Sequence, residues 1–242
     1  RAATEGAGYG PQSPRDIDQS EGENNRIFTA APDREVMNLC NIHIHESAEH
    51  KGGEFTTYAG NGDGKGYGTG YVYDGTLTEA ELAPIEGDNL RTDLEPGDTI
   101  EVHYVYSTAH VGPGVSLGAC LNDAAANPQL RAEAQVLVLV NDPEAEDFGK
   151  LMEVVQVDDL YQAVNIPTDT GEPVEYAGST TGPAYNEAGS PLKVTWAVRP
   201  QVKKVDAASV LIWLSDNAFD EDHAHGVRNL VDDPELLSEI GL

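Results

Sequence analysis

Two histidines separated by a single isoleucine, in the run Asn41-Ile-His-Ile-His45, restrict this chain more than any other feature of its sequence. Side chains two apart on a β-strand point to the same side of the sheet. His43 and His45 therefore lean into one space while Ile42 and Ile44 pack behind them. A third histidine, His103, stands in an equally strand-like run, Glu101-Val-His-Tyr-Val105. Three imidazoles converging from strands leave one tetrahedral position of a metal free, which a hydrolytic or hydrating zinc centre requires. Two neighbours fit that reading. Asn41, two before His43, and Glu101, two before His103, can each accept the second ring N–H of their histidine, fixing its tautomer and strengthening it as a donor.

The rest of the pattern is β-rich. Strands are expected over residues 36–45, 99–106, 134–140, 174–176, 194–198 and 209–214, with a mixed strand and helix over 151–164. Residues 76–82 read as a short helix or turn, and 234–240 as a short terminal helix with Asp233 near its cap. No long amphipathic helix is seen, so the fold class is mainly β with few short helices (α+β). Residues 1–25, rich in Gly, Pro, Ser and charge, read as an extended arm, and 26–242 as a single domain. Within it a Gly-rich loop insertion occupies about 58–98. Asn61 and Asp63 alternate there with glycines as in a calcium loop, but Lys65 breaks the alternation, and a plain Gly-rich loop is the simpler reading.

Forty-two acidic residues face 14 Lys plus Arg, a formal charge of −28. Nucleic acid and anionic membrane surfaces are repelled by such a chain. No apolar run approaches the ~20 residues that span a bilayer. A solvated acidic surface, or adaptation to a salty exterior where ions screen self-repulsion, accounts for the excess. A chain starting at Arg1 rather than Met fits a processed protein, and we expect a secreted or periplasmic one. Cys40 and Cys120 form no C-x-x-C pair, which argues against a zinc knuckle. They are either a disulfide bracing the histidine strand or two buried thiols. Three positions before His43, Cys40 is expected on the opposite strand face from the metal.

The motifs N-I-H-I-H, G-G-E-F, E-V-H-Y-V, Y-A-G-S-T-T-G-P and V-T-W occur in the order used by α-class carbonic anhydrases. The stretches MNLCNIHIHESAEHKGGEF, GDTIEVHYVYS, NPQLRAEAQVLVLVND and HAHGVRNLV resemble the δ-class still more closely, from about residue 7 to the end. The resemblance implies an α-carbonic-anhydrase-like central twisted, largely antiparallel sheet with the zinc site on its strands. It implies reversible hydration of CO2 to bicarbonate and a proton by metal-bound hydroxide, with Zn2+ held by His43, His45 and His103. Co2+ or Cd2+ are conceivable substitutes. In the α-class a threonine hydroxyl orients the hydroxide and hands its own proton to a glutamate. Glu54, in G-G-E, matches the glutamate. The threonine loop is one residue shorter here, so Thr180 or Thr181 matches the threonine, and we prefer Thr180.

CO2 is apolar and needs a dry wall, for which Val105, on the face of His103, and Trp196 are the first choices and Val136 the third. A proton must then leave the site through a group near neutral pKa. The α-class shuttle lies upstream of H-x-H, where this chain has no histidine. His50, His110, His223 and His225 are the candidates. Two other functions compete with this one. A cupin-type oxygenase or isomerase would add Glu49 to His43 and His45, but wants Asn where Ser107 stands. A non-catalytic secreted metal- or carbohydrate-binding β-domain would leave the full ligand set and both threonines unexplained.

Overall fold

The computed structural model describes residues 9–85, 93–125, 127–180 and 192–241. Its centre is a mixed sheet of six strands in the order β1 (Asn38–Glu46), β4 (Thr99–Ser107), β5 (Leu130–Val140), β9 (Leu192–Val198), β8 (Val174–Thr180), with β10 (Lys203–Asp206) paired to the far end of β5. The pairs β1–β4, β4–β5 and β8–β9 are antiparallel, whereas β9 and β10 both run parallel to β5. All eleven residues of β5 are buried, as its run Ala-Gln-Val-Leu-Val-Leu-Val suggests for a strand covered on both faces. Two small hairpin sheets lie outside, β2 (Thr57–Tyr58) with β3 (Tyr71–Val72) and β6 (Val154–Val157) with β7 (Leu160–Ala163). The chain is thus mainly β.

Two apolar layers sandwich the central sheet. Behind β1 and β4, Ile42, Ile44, Val102 and Tyr104 join Leu137 and Leu139 in the larger core, closed by Trp213 and Val210. Each such side chain, fully buried, contributes roughly 1.5–3 kcal/mol of transfer free energy. The opposite face carries the histidines, with Val105, Ala132, Ala134, Val136, Tyr176 and Trp196 around them.

Three expectations need correction. Residues 209–214 form no strand; they lie in the second helix, α2 (Ala207–Ser215), which follows the short α1 (Phe148–Leu151), because Asp206 caps the backbone N–H groups of Ala208 and Ser209. Val210, Trp213 and Leu214 then fall on one helical face and enter the core. Cys40 does not lie on the far face from the histidines. The β1–β4 register slips between Leu39 and Asn41. The bulge turns Cys40 into the cluster of Val105 and Trp196, where it is bonded to Cys120. Finally, the described part of the N-terminal segment, from residue 9, packs against the C-terminal end of the chain. Pro11 to Arg15 are buried, and Gln12, Glu23 and Asn24 donate backbone N–H groups to the carbonyls of Leu236, Pro234 and Leu237. At residues 234–240 the expected helix shortens to one 3-10 turn, Pro234–Leu236, capped by Asp233.

Candidate metal centre

Antiparallel pairing sets His43 directly opposite His103, and His45 opposite Glu101. Because His43 and His45 share a face of β1, the three imidazoles meet at one spot, with ring centroids 5.1, 4.9 and 4.8 Å apart. One nitrogen from each lies within 4.8 Å of the other two. The remaining nitrogens have partners. His43 Nδ1–H donates to Asn41 Oδ1 at 2.7 Å. His103 Nε2–H donates to Glu101 Oε1 at 2.6 Å. His45 Nδ1 faces the Gly226 carbonyl at 3.3 Å and a Glu49 oxygen at 3.5 Å. With those protons engaged, the inward atoms are Nε2 of His43, Nε2 of His45 and Nδ1 of His103, all lone pairs.

A cation fits this donor set. Nε2 of His43 and Nδ1 of His103 stand 3.1 Å apart, and two lone pairs at that distance repel unless something positive lies between them. The edge of a tetrahedron with zinc–nitrogen arms of ~2.0–2.1 Å is about 3.3 Å. Burial, then the neighbouring rings, pushes the His43 pKa well below its ordinary value. Burial likewise lowers that of His45 to about 4, against the pull of Glu49. Both rings are therefore neutral at pH 7, the form that binds metal.

Two buried polar chains hold the three histidines from outside. Glu101 accepts from His103 and, through the same oxygen, from His50 Nδ1 at 2.6 Å, while its other oxygen takes the His50 backbone N–H at 3.0 Å. The Tyr176 hydroxyl donates to His50 Nε2 at 2.8 Å. Burial alone would raise the Glu101 pKa, but the imidazoles beside it hold it well below the usual carboxylate range. On the other side Arg228 grips Glu49 with its backbone N–H, Nε and Nη2 at 2.8–3.3 Å. Burial opposes ionisation of Glu49 too, and the guanidinium charge outweighs it. Arg228 also lies 5.7 Å above the Trp196 ring.

The three histidines floor a cavity of about 620 Å³. Val105, Leu130, Ala132, Val194 and Trp196 form its apolar wall, and Thr180 lies on its lining. The Gly-rich insertion reaches the mouth with Lys65 and Tyr67, anchored where Gly66 O accepts from Val227 N–H and Gly68 N–H donates to Glu46. Other residues expected at the site are elsewhere. Val136 is fully buried two positions beyond Ala134, opposite Glu101 rather than on the cavity. Glu54 is exposed and accepts from Val202 N–H at 2.9 Å. Gly53, at φ 52° and with no room for a Cβ beside Pro200 O, turns the chain so that Glu54 N–H meets the same carbonyl. Thr181 lies outside the described residues.

The candidate proton carriers separate cleanly. His50 is fully buried with both nitrogens engaged, and His110 is exposed off the cavity. His225 lines the mouth, its ring 6.3 and 6.2 Å from those of His43 and His45. Its Nε2 bonds Glu221 at 2.9 Å, which raises its pKa. His223 follows, exposed, with its ring 4.9 Å from that of His225. Sequence reasoning missed Arg228 and used Glu49 only as a cupin ligand. Ser47, at φ 69°, ends β1 and folds Glu49 back under His45. No local pattern announces such a return. With both oxygens of Glu49 engaged by Arg228, the cupin ligand set is not assembled.

A family model described as Delta carbonic anhydrase matches residues 34–209 of the chain. No curated protein matches it.

Proposed function

The chain belongs to the delta carbonic anhydrase family and is a carbonic anhydrase, a lyase, and on that premise we propose that it hydrates CO2 reversibly at a zinc ion held by His43 Nε2, His45 Nε2 and His103 Nδ1. The carrying observation is that three imidazoles, those of His45 and His103 buried and that of His43 half-buried, meet at matched register with the outer nitrogen of each facing an acceptor. When bound there, zinc lowers the pKa of its water to ~7, carbonic anhydrase being the standard example of that effect, and so supplies a nucleophile at neutral pH.

The chain's own residues do the remainder. Asn41 and Glu101 keep the inward nitrogens of His43 and His103 free of protons. Val105 and Trp196, with Leu130 and Val194, give CO2 a dry apolar wall beside the ligands. Thr180 is the hydroxyl that takes a hydrogen bond from the attacking water and aims its lone pair at the carbon. Glu49, ionised under Arg228, is the anionic partner behind His45 Nδ1. His225 receives the released proton at Nδ1, its Nε2 being occupied by Glu221, and passes it to His223 and solvent. Water and CO2 thus become bicarbonate and one proton. A disulfide supports a secreted or periplasmic location, and Co2+ or Cd2+ are expected to replace zinc at a site of three histidines.

Stopped-flow CO2 hydration with and without a chelator tests the reading. Hydration should vanish on chelation and return with zinc; chelator-insensitive or absent hydration between about pH 6 and 9 overturns it. His103→Ala should lose stoichiometric metal. Thr180→Ala should cost ~10²-fold in kcat, and a loss of that size in Thr181→Ala instead would move the role by one residue.

A further inference from the structure

The segment running from β4 to β5 forms one side of the cavity through Val115, Ser116, Leu117 and Gly118. It is pinned to the histidine strand at several heights. Asn38 Nδ2 donates to Ala109 O at 3.0 Å. Gly114 N–H donates to Cys40 O at 3.0 Å, and Asn41 Nδ2 donates to Gly114 O at 3.1 Å. The Cys40–Cys120 disulfide, buried at both ends, closes the far end of the segment, where Ser107 Oγ also holds Cys120 O at 2.7 Å. Asn41 is fully buried. Its amide has one orientation that works: Nδ2 toward Gly114 O, and therefore Oδ1 toward His43 Nδ1. A rotated amide would aim an N–H at the N–H of His43. What holds the amide in register is a loop carbonyl, and the covalent tie on that loop's course is the disulfide.

We propose that the Cys40–Cys120 disulfide is a metal-retention device, fixing the Gly114 carbonyl that orients Asn41 and, through it, the ligand His43. This rests on the reading of His43 as a ligand. Asn41 is a positioning residue, acting through His43. Reduction by a trialkylphosphine breaks the S–S bond; the phosphine is oxidised to its oxide with the oxygen of one water, whose two protons end on the two sulfurs. The 109–120 segment is then held by hydrogen bonds alone, and Gly114 O is free to drift. Partners of this kind, when removed, change metal affinity by about 10–100-fold. In a reducing compartment the protein would therefore shed its metal, and in an oxidising one keep it.

The test measures transfer of zinc from the full-length loaded protein to a chromophoric chelator, with thiols counted in denaturant and near-UV circular dichroism verifying that the fold persists. Release should be about 10-fold faster after phosphine reduction, and Cys120→Ser should match the reduced protein without any reductant. Asn41→Asp separates the specific route from general loosening. Its carboxylate still accepts from His43 but gives Gly114 O no donor, so reduction should add almost nothing to its release rate. Equal rates in oxidised and reduced wild type, or the same acceleration in Asn41→Asp as in wild type, overturn the proposal. His43→Ala is the separate control. Full zinc retention there would overturn the ligand reading itself, whereas lost zinc with redox-independent wild-type release would sink only the device.

Discussion

At the scale of single residues, the three histidines are flanked by buried charges, and this has consequences at acid pH. Glu49 and Arg228 form a buried pair, so Glu49→Gln leaves the guanidinium uncompensated, a loss of about 3–5 kcal/mol at neutral pH. The folded Glu49 pKa lies far below its unfolded value of 4.5. Its contribution is therefore complete above about pH 4.5 and fades as pH falls toward the folded pKa. Urea unfolding of both proteins should show a gap that is constant from pH 6 to 8 and closes below about 4.5; a gap that widens in acid would mean Glu49 is protonated in the native state. His45 acts in a neighbouring window. In metal-free protein its folded pKa of about 4 sits below the ordinary 6.5. The unfolded chain then binds a proton that the native state refuses, so stability should drop as pH falls from about 6.5 to about 4. Bound zinc should steepen the drop, because acid also releases the metal.

Elements were legible where periodicity was unambiguous and opaque where a single cap or bulge decided. The strands around His43, His103 and Val136 announce themselves by alternation or by apolar runs, and with them the convergence of His43, His45 and His103 and their partners Asn41 and Glu101. The run Ser-Val-Leu-Ile-Trp-Leu does not: a short, wholly apolar stretch suits a buried strand as well as a helix turn. Asp206 decides it by accepting from Ala208 and Ser209 N–H, and Ser209 Oγ donates back to Asp206 O at 2.6 Å. Asp206→Ala should thus cost about 1 kcal/mol of stability. Because α2 covers the sheet face away from the histidines, kcat should stay unchanged; a lost activity at unchanged metal content would show the two faces to be coupled. The bulge at Cys40 misled in another way. One extra residue exchanges the faces of a strand N-terminal to it, and nothing in Leu-Cys-Asn signals where pairing slips. Glu54 and Glu49 make the same point: G-G-E resembles a motif, yet the buried carboxylate comes from five residues earlier.

Across the whole molecule, contacts distant in sequence close the site, and the charge sets the conditions under which they hold. Arg15, fully buried, donates to the carbonyls of Gln19, Glu21 and Ser238, while Arg228 Nη1 reaches Ser13 O at 3.3 Å. Residues 13–21 and 228–238 are thereby tied together, an arrangement that sequence periodicity has no means to express. The chain as a whole carries a formal charge of −28. Surface pairs such as Lys51–Asp16 and Lys203–Asp169 are too few to neutralise it, and isolated exposed pairs contribute only about 0–1 kcal/mol each. Self-repulsion should therefore dominate the response to salt. The Debye length shrinks from ~10 Å at 0.1 M to ~3 Å at 1 M, less than typical spacings between surface carboxylates. The midpoint of thermal unfolding at pH 7 should rise steadily over that range in NaCl, and equally in KCl. Near the isoelectric point of about 4.3 the same salt series should be nearly flat, since the charge that salt screens is gone. A rise of equal size at both pH values would assign the stabilisation to salting-out of apolar surface rather than to screened repulsion. A fall at pH 7 would mean that attractive pairs outweigh the excess of carboxylates.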